Sequence, residues 1–185
     1  MKFLRLFIII FISLTTSIKA DLNKNLINQL EEGGKLIFIR HAHAPGSGDP
    51  KNFNLNDCYT QRNLNENGRV QAQYIGEFFR TNRIKIDKVL SSEWCRCKET
   101  AKIAFRYFST NNFLNSFYDN RYIKNKDTQV DALKRYIKQF KSNKNLVLVT
   151  HYVLISEVLN YAPSSGEIVV SDKNFNIIGT HEIIF

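Results

Sequence analysis

The sequence is poor in chain breakers, with 8 Gly and 3 Pro among 185 residues. That scarcity excludes collagen-like and linker-rich chains. No run approaches the ~20 apolar residues of a membrane-spanning helix, and no segment repeats at a solenoid period. Acids are outnumbered, 17 Asp and Glu against 26 Lys and Arg, for a net charge of +9. The imbalance raises a nucleic-acid partner as a question rather than an answer. Hydrophobic residues at 43% and charged residues at 23% exclude a disordered chain. The length suits one domain.

The first residues change that frame. Lys2 and Arg5 precede an apolar stretch from Leu6 to Leu14 interrupted only by Ser13, and Ile18-Lys19-Ala20 follows. This order reads as a secretory signal peptide over 1–20, leaving a domain over 21–185. Ile18 is bulky for its place before the cleavage site, and a retained leader would make the one expected membrane contact. Cleavage would remove Lys2, Arg5 and Lys19, so the charge falls to 9 − 3 = +6. A periplasmic or secreted location argues against nucleic acid, and the remaining charge reads as a solvated face or an attraction for anionic substrates. Such a compartment also permits a disulfide among Cys58, Cys95 and Cys97. Cys95 and Cys97, two apart on a helix, point away from each other. A bridge from Cys58 to either one is open.

Apolar runs at 35–40, 84–90 and 145–150 read as buried strands, and 167–171 with 175–185 as a terminal pair. Helical spacing marks Val70 to Phe79, Ala101 to Phe108, Val130 to Phe140 and Val153 to Tyr161, with Ser91-Ser92 as N-cap candidates for the second. The segments 42–66 and 109–125 read as loops. Alternation of strand and helix predicts an α/β fold, a three-layer αβα sandwich with a mostly parallel sheet and an antiparallel edge.

In such sheets ligands lie beyond the carboxyl ends of the strands. Those ends deliver Arg40-His41, Ser91 through Arg96, and Thr150-His151. Two guanidinium forks suit phosphate oxygens, a helix start adds oriented N–H groups, and a neutral imidazole can attack phosphorus. The combination predicts a site for a phosphoryl group.

The same residues resemble a known family. Leu36 through Ala42 looks like the opening signature of the histidine phosphatase (phosphoglycerate mutase-like) superfamily, with Ala42 where Gly is usual. Leu64 through Ala72 resembles its first-helix segment, Val89 through Ala101 its second-arginine motif, and Val147 through His151 its last catalytic strand. The resemblance implies that His41 is the nucleophile, that Arg40 and Arg96 bind the phosphoryl group, and that His151 completes the pocket. It implies an acid from the loop after the second-arginine helix, where Asp119 is the candidate and Glu93 the alternative. Such an acid needs its pKa raised by burial. No cofactor or metal is implied. The expected activity is an exported phosphatase acting on small phosphomonoesters, with envelope sugar phosphates suggested by compartment alone.

Two other readings compete. His41-x-His43 has the spacing of metal ligands in a hydrolase, and a phosphate pocket can bind without turnover in an inactive envelope protein. A cysteine phosphatase is excluded, because Leu64, Ala101 and Ile103 stand where an arginine six residues after each cysteine is required.

Overall fold

A computed structural model describes residues 24–184, so the expected leader over 1–20 lies outside the described residues. The described chain starts in a helix over 24–32, α1. It continues as β1 (Leu36–Arg40), α2 (Glu66–Thr81), β2 (Ile86–Ser91), α3 (Cys95–Phe105), β3 (Ser109–Thr110), α4 (Lys126–Gln139), β4 (Asn145–Thr150), α5 (Tyr152–Leu159), β5 (Ile168–Ser171) and β6 (Ile177–His181).

The six strands form one sheet in the order β3-β2-β4-β1-β5-β6. β3, β2, β4 and β1 run parallel, while β5 and β6 add the antiparallel edge. Period-two alternation divides β1 and β4 between the faces. Ile37, Ile39, Val147 and Val149 pack with Leu26 and Leu30 of α1, Ile75 of α2 and Ala101 of α3. Leu36, Phe38, Leu146 and Leu148 pack with Leu133 of α4 and Leu154 of α5. Burial on both sides explains why β4 reads as an unbroken apolar run, and the result is the expected three-layer sandwich. Among the described residues no helix is long and apolar enough to cross a membrane.

Two expectations change. Helix α3 begins at Cys95 with Trp94 as its N-cap residue and no side-chain cap. Ser91 and Ser92 are therefore not its caps, and Ser92 turns its hydroxyl into the site instead. The loop over 109–125 contains the short strand β3, whose two residues pair with Leu90 and Ser91. A pair that short and exposed carries no periodic signal.

The topology makes the crevice. β1 and β4 are neighbours, but β1 leads to α2 on one face and β4 to α5 on the other. Their carboxyl ends thus part at a switch point. Arg40 pairs with Thr150 in register, so His41 and His151 each lie one residue beyond the last rung.

Candidate active site

The backbone around His41 is fixed from three sides. His41 donates its N–H to the Thr150 carbonyl at 2.9 Å. Ala42 donates to Thr100 Oγ1 at 3.0 Å, and the His43 N–H donates to Gln71 Oε1 at 2.9 Å. Gly68 lets the start of α2 close on this turn, because a Cβ there would lie 2.0 Å from the His43 carbonyl oxygen. Ala42 is fully buried, so the small side chain that replaces the usual glycine fits. Gly68, Gln71 and Thr100 thus hold the His41 turn and do not line the cavity described next.

A cavity of about 300 Å³ opens beyond these strand ends, lined among others by Arg40, His41, Arg62, Arg96 and His151. The His41 ring is buried, with Nδ1 2.9 Å from the Ala42 carbonyl oxygen. That acceptor places the proton on Nδ1 and leaves a lone pair on Nε2, toward which Arg96 Nε–H points at 3.1 Å. Burial, and then the Arg96 charge, hold the His41 pKa well below the usual histidine value. The imidazole is therefore neutral and poised for attack through Nε2.

His151 is buried as well, with its ring 5.5 Å from that of His41. Its pKa is also well below the ordinary value, through burial and then Arg96. A hydrogen-bonded chain orients it. Asn115 donates Nδ2–H to Glu93 Oε2 at 2.6 Å, while its Oδ1 accepts from the Glu93 N–H at 2.9 Å and from Ser92 Oγ at 3.1 Å. Ser92 has then used its proton, so His151 Nε2–H donates to Ser92 Oγ at 2.8 Å. Cys97, the free cysteine, lies against the same ring with Sγ 3.5 Å from Nε2. Burial pushes its thiol up to about 12.

Arg96 is nearly enclosed, and Asp49 holds both of its terminal nitrogens, Nη1–Oδ1 at 2.8 Å and Nη2–Oδ2 at 3.2 Å. Asp49 also accepts from Trp94 Nε1–H at 3.0 Å and from the Arg62 N–H at 3.1 Å. Burial opposes ionisation of Asp49, but these donors prevail and hold its carboxyl below the usual value. Arg62 is pinned through its donors to the carbonyls of Gly48 and Ala44. Arg40 donates Nη1–H to the Pro163 carbonyl at 2.9 Å and lies over the Tyr152 ring.

The predicted site residues Arg40, His41, Arg96, His151 and Asp119 all line this cavity. The surroundings of Asp119 are opposite to those an acid requires. Arg121 embraces it at 2.9 Å through Nε and Nη2 and holds its carboxyl below the usual range. Glu93 serves the Asn115 chain and does not line the cavity. Ser47 and Arg62 border it, whereas His43 and Asn63 do not. Among the described residues no three His, Cys, Asp or Glu side chains are grouped to hold a metal ion. The sequence reading missed Asp49 and the Ser92–Asn115–Glu93 chain. The bridge between the loop over 42–65 and α3 joins Cys58 to Cys95, one of the two pairings open to the sequence.

Residues 36–112 match the family model described as histidine phosphatase superfamily (branch 1). Over those residues the chain is similar to the histidine phosphatase superfamily. The match spans the first three motifs, and His151 joins them through the sheet register. No curated protein matches the chain at a significant level. Solved structures share the fold at low identity. The protein histidine phosphatase SixA, complexed with tungstate, is 14% identical, with a TM-score of 0.55 over 80% of this chain and 94% of its own. A phosphoglycerate mutase from Thermus thermophilus is 16% identical, with a TM-score of 0.56 over 81% of this chain and 99% of its own. TTHB049 from the same organism is 15% identical, with a TM-score of 0.58 over 81% and 99%.

Proposed function

We propose that the protein is an exported, metal-independent phosphatase that hydrolyses phosphomonoesters through a phosphohistidine on His41. The observation that carries this reading is a buried neutral imidazole, protonated on Nδ1, in a cavity lined by Arg40, Arg62, Arg96 and Arg121. An incoming dianion competes with Asp49 for Arg96 and takes further donors from Arg40 and Arg62. The Nε2 lone pair attacks phosphorus, the ester P–O bond breaks, and the leaving oxygen departs with the bonding pair and takes up a proton. The Nδ1–H bond to the Ala42 carbonyl stabilises the resulting imidazolium. His151, whose second nitrogen can take up a proton once a dianion is bound, donates to the phosphoryl oxygens as charge shifts.

In the second step water attacks phosphorus, the P–N bond breaks, and His41 returns to its neutral form. The water's proton needs an acceptor, and Asp119, held ionised by Arg121, suits that role better than the acid role expected from sequence. The leaving oxygen therefore draws its proton from water at the open rim, and aryl phosphates should turn over faster than alkyl phosphates, which remain substrates. Side chains at the rim, including Tyr118 and Tyr152, are exposed, so water reaches the phosphoenzyme and hydrolysis is favoured over transfer to a second substrate group. The signal-peptide pattern in the sequence of residues 1–20 and the Cys58–Cys95 bridge both suit an oxidising compartment.

His41→Ala is expected to keep its circular dichroism spectrum and lose at least about 10³-fold in turnover of p-nitrophenyl phosphate. It should also trap no acid-labile, base-stable label from a radiolabelled phosphomonoester. Undiminished turnover would overturn the assignment.

A further inference from the structure

A second cavity, of about 880 Å³, shares Trp94, Ser116 and Tyr122 with the first. The two are chemically opposite. Among the described residues no Lys, Arg, His, Asp or Glu lines the second, whereas Asn52, Asn54, Asn112, Asn115, Asn125 and Gln129 do. Asn115 and Gln129 turn amide N–H groups inward, to Glu93 and to the Asn112 and Asn115 carbonyls, while the exposed amides of Asn52, Asn112 and Asn125 offer a ligand both donors and acceptors at no net charge. Aromatic faces complete the wall. Phe53 stacks on Trp94 at 5.1 Å, and Tyr122 meets Phe53 edge-on at 5.9 Å. An uncharged lining dense in two-way hydrogen-bonding groups and backed by rings suits a ligand with many hydroxyls and apolar C–H faces. It gives little to an anion, a lipid tail or a basic peptide.

The cavities meet at the surface. Arg121, from the lining of the first, donates to the carbonyl of Lys51 at 3.3 Å, next to Asn52 in the second. Arg121 is exposed, so this tie costs little to open.

We propose that the amide-lined cavity is a saccharide subsite, which receives the neutral sugar body of a substrate whose phosphoryl group occupies the adjacent cavity. The proposal rests on the phosphatase reading above and names its substrate class: phosphorylated sugars of two or more units. One unit fits beside His41, and the next reaches the amides.

The test compares trehalose 6-phosphate with glycerol 3-phosphate, both esters of primary alcohols, and uses p-nitrophenyl phosphate as the reference. The subsite predicts kcat/KM for the disaccharide ester at least about tenfold above that for the glycerol ester, carried by KM. In the Asn52→Ala/Asn125→Ala double variant, whose replaced side chains are exposed and outside the first cavity, the preference should vanish while p-nitrophenyl phosphate turnover is retained. Equal kcat/KM for the two alkyl esters overturns the subsite and leaves the phosphatase reading standing. No turnover of p-nitrophenyl phosphate overturns the phosphatase reading instead. The subsite is then decided by the fluorescence of Trp94, the single tryptophan, titrated with trehalose in the presence of inorganic phosphate. A saturable change that the double variant lacks supports it, and no change overturns it.

Discussion

The strand ends and the loop over 42–65 reach the same cavity by different means. Arg40, His41 and His151 stand directly on or one residue beyond β1 and β4, whose backbones are locked in register under two buried layers. Asp49 and Arg62 hang from a segment without a strand or long helix, held by hydrogen bonds and by the Cys58–Cys95 bridge to the start of α3. The core places the groups assigned to chemistry. A covalent tie and a charge pair place the groups that adjust them. Arg96 belongs to both, since α3 carries it and Asp49 aims it. A scaffold can therefore keep its reacting atoms still while its charge balance is set from a loop.

That division can be broken from either side. Arg96→Lys keeps the charge but loses the fork, and kcat for p-nitrophenyl phosphate should fall about 10²-fold, read by steady-state kinetics on a variant of unchanged thermal midpoint. A comparable loss from the loop side alone, at Arg62→Lys, would erase the distinction.

Replacing both bridge cysteines, Cys58→Ser/Cys95→Ser, releases a crosslink spanning 37 residues. Urea unfolding should show a loss of about 3–4 kcal/mol. Turnover of the folded variant should fall less than in Arg96→Lys, because Asp49 and Arg62 loosen while the strand ends do not.

A subtler change is Asp49→Asn, which keeps the shape and removes the charge that Arg96 faces. Inorganic phosphate should inhibit about tenfold more tightly, since an anion no longer competes with a carboxylate for the guanidinium. Turnover should drop at the same time, because the fork is less well aimed. Weaker inhibition by phosphate would show that Asp49 builds the anion site rather than competing for it.

The smallest effect concerns pH. Both cavity histidines have pKa values lowered in the fold, so below the unfolded value of about 6.5 the unfolded chain binds more protons than the folded one. Their contribution to stability is complete above that value and declines as pH falls toward the folded pKa values. The thermal midpoint should fall with acidification below about pH 6.5, with a shallower slope in His41→Ala. The acid limb of kcat/KM should lie below about pH 6.5, because His41 stays neutral there.

The strand ends were legible in the sequence for the reason they are rigid. Buried parallel strands demand continuous apolar runs, and residues just beyond such runs fall at the edge where ligands bind. Hence the sheet apart from its edge strand β3, and the positions of Arg40, His41, Arg96 and His151 at its carboxyl edge, could be placed from the residues. The loop offered no such period. Asp49 acquires its role from Arg96, 47 residues away, and Ser92 from His151, 59 residues away. Nothing local to either residue marks the pairing. Asp119 shows the same limit from the other direction. Its position in the loop was readable, but its charge state depends on Arg121 wrapping around it.

Cys97 bears on how long the bridge beside it survives. An odd thiol two residues from a disulfide is ordinarily a route to scrambling, because a thiolate attacks a neighbouring sulfur. With its pKa pushed up to about 12 by burial, Cys97 stays a thiol at neutral pH. Burial beneath Thr150 and His151 also keeps small oxidants and foreign disulfides from reaching it. The third cysteine is thereby a silent one, and the Cys58–Cys95 pairing, once made, has no internal partner with which to exchange.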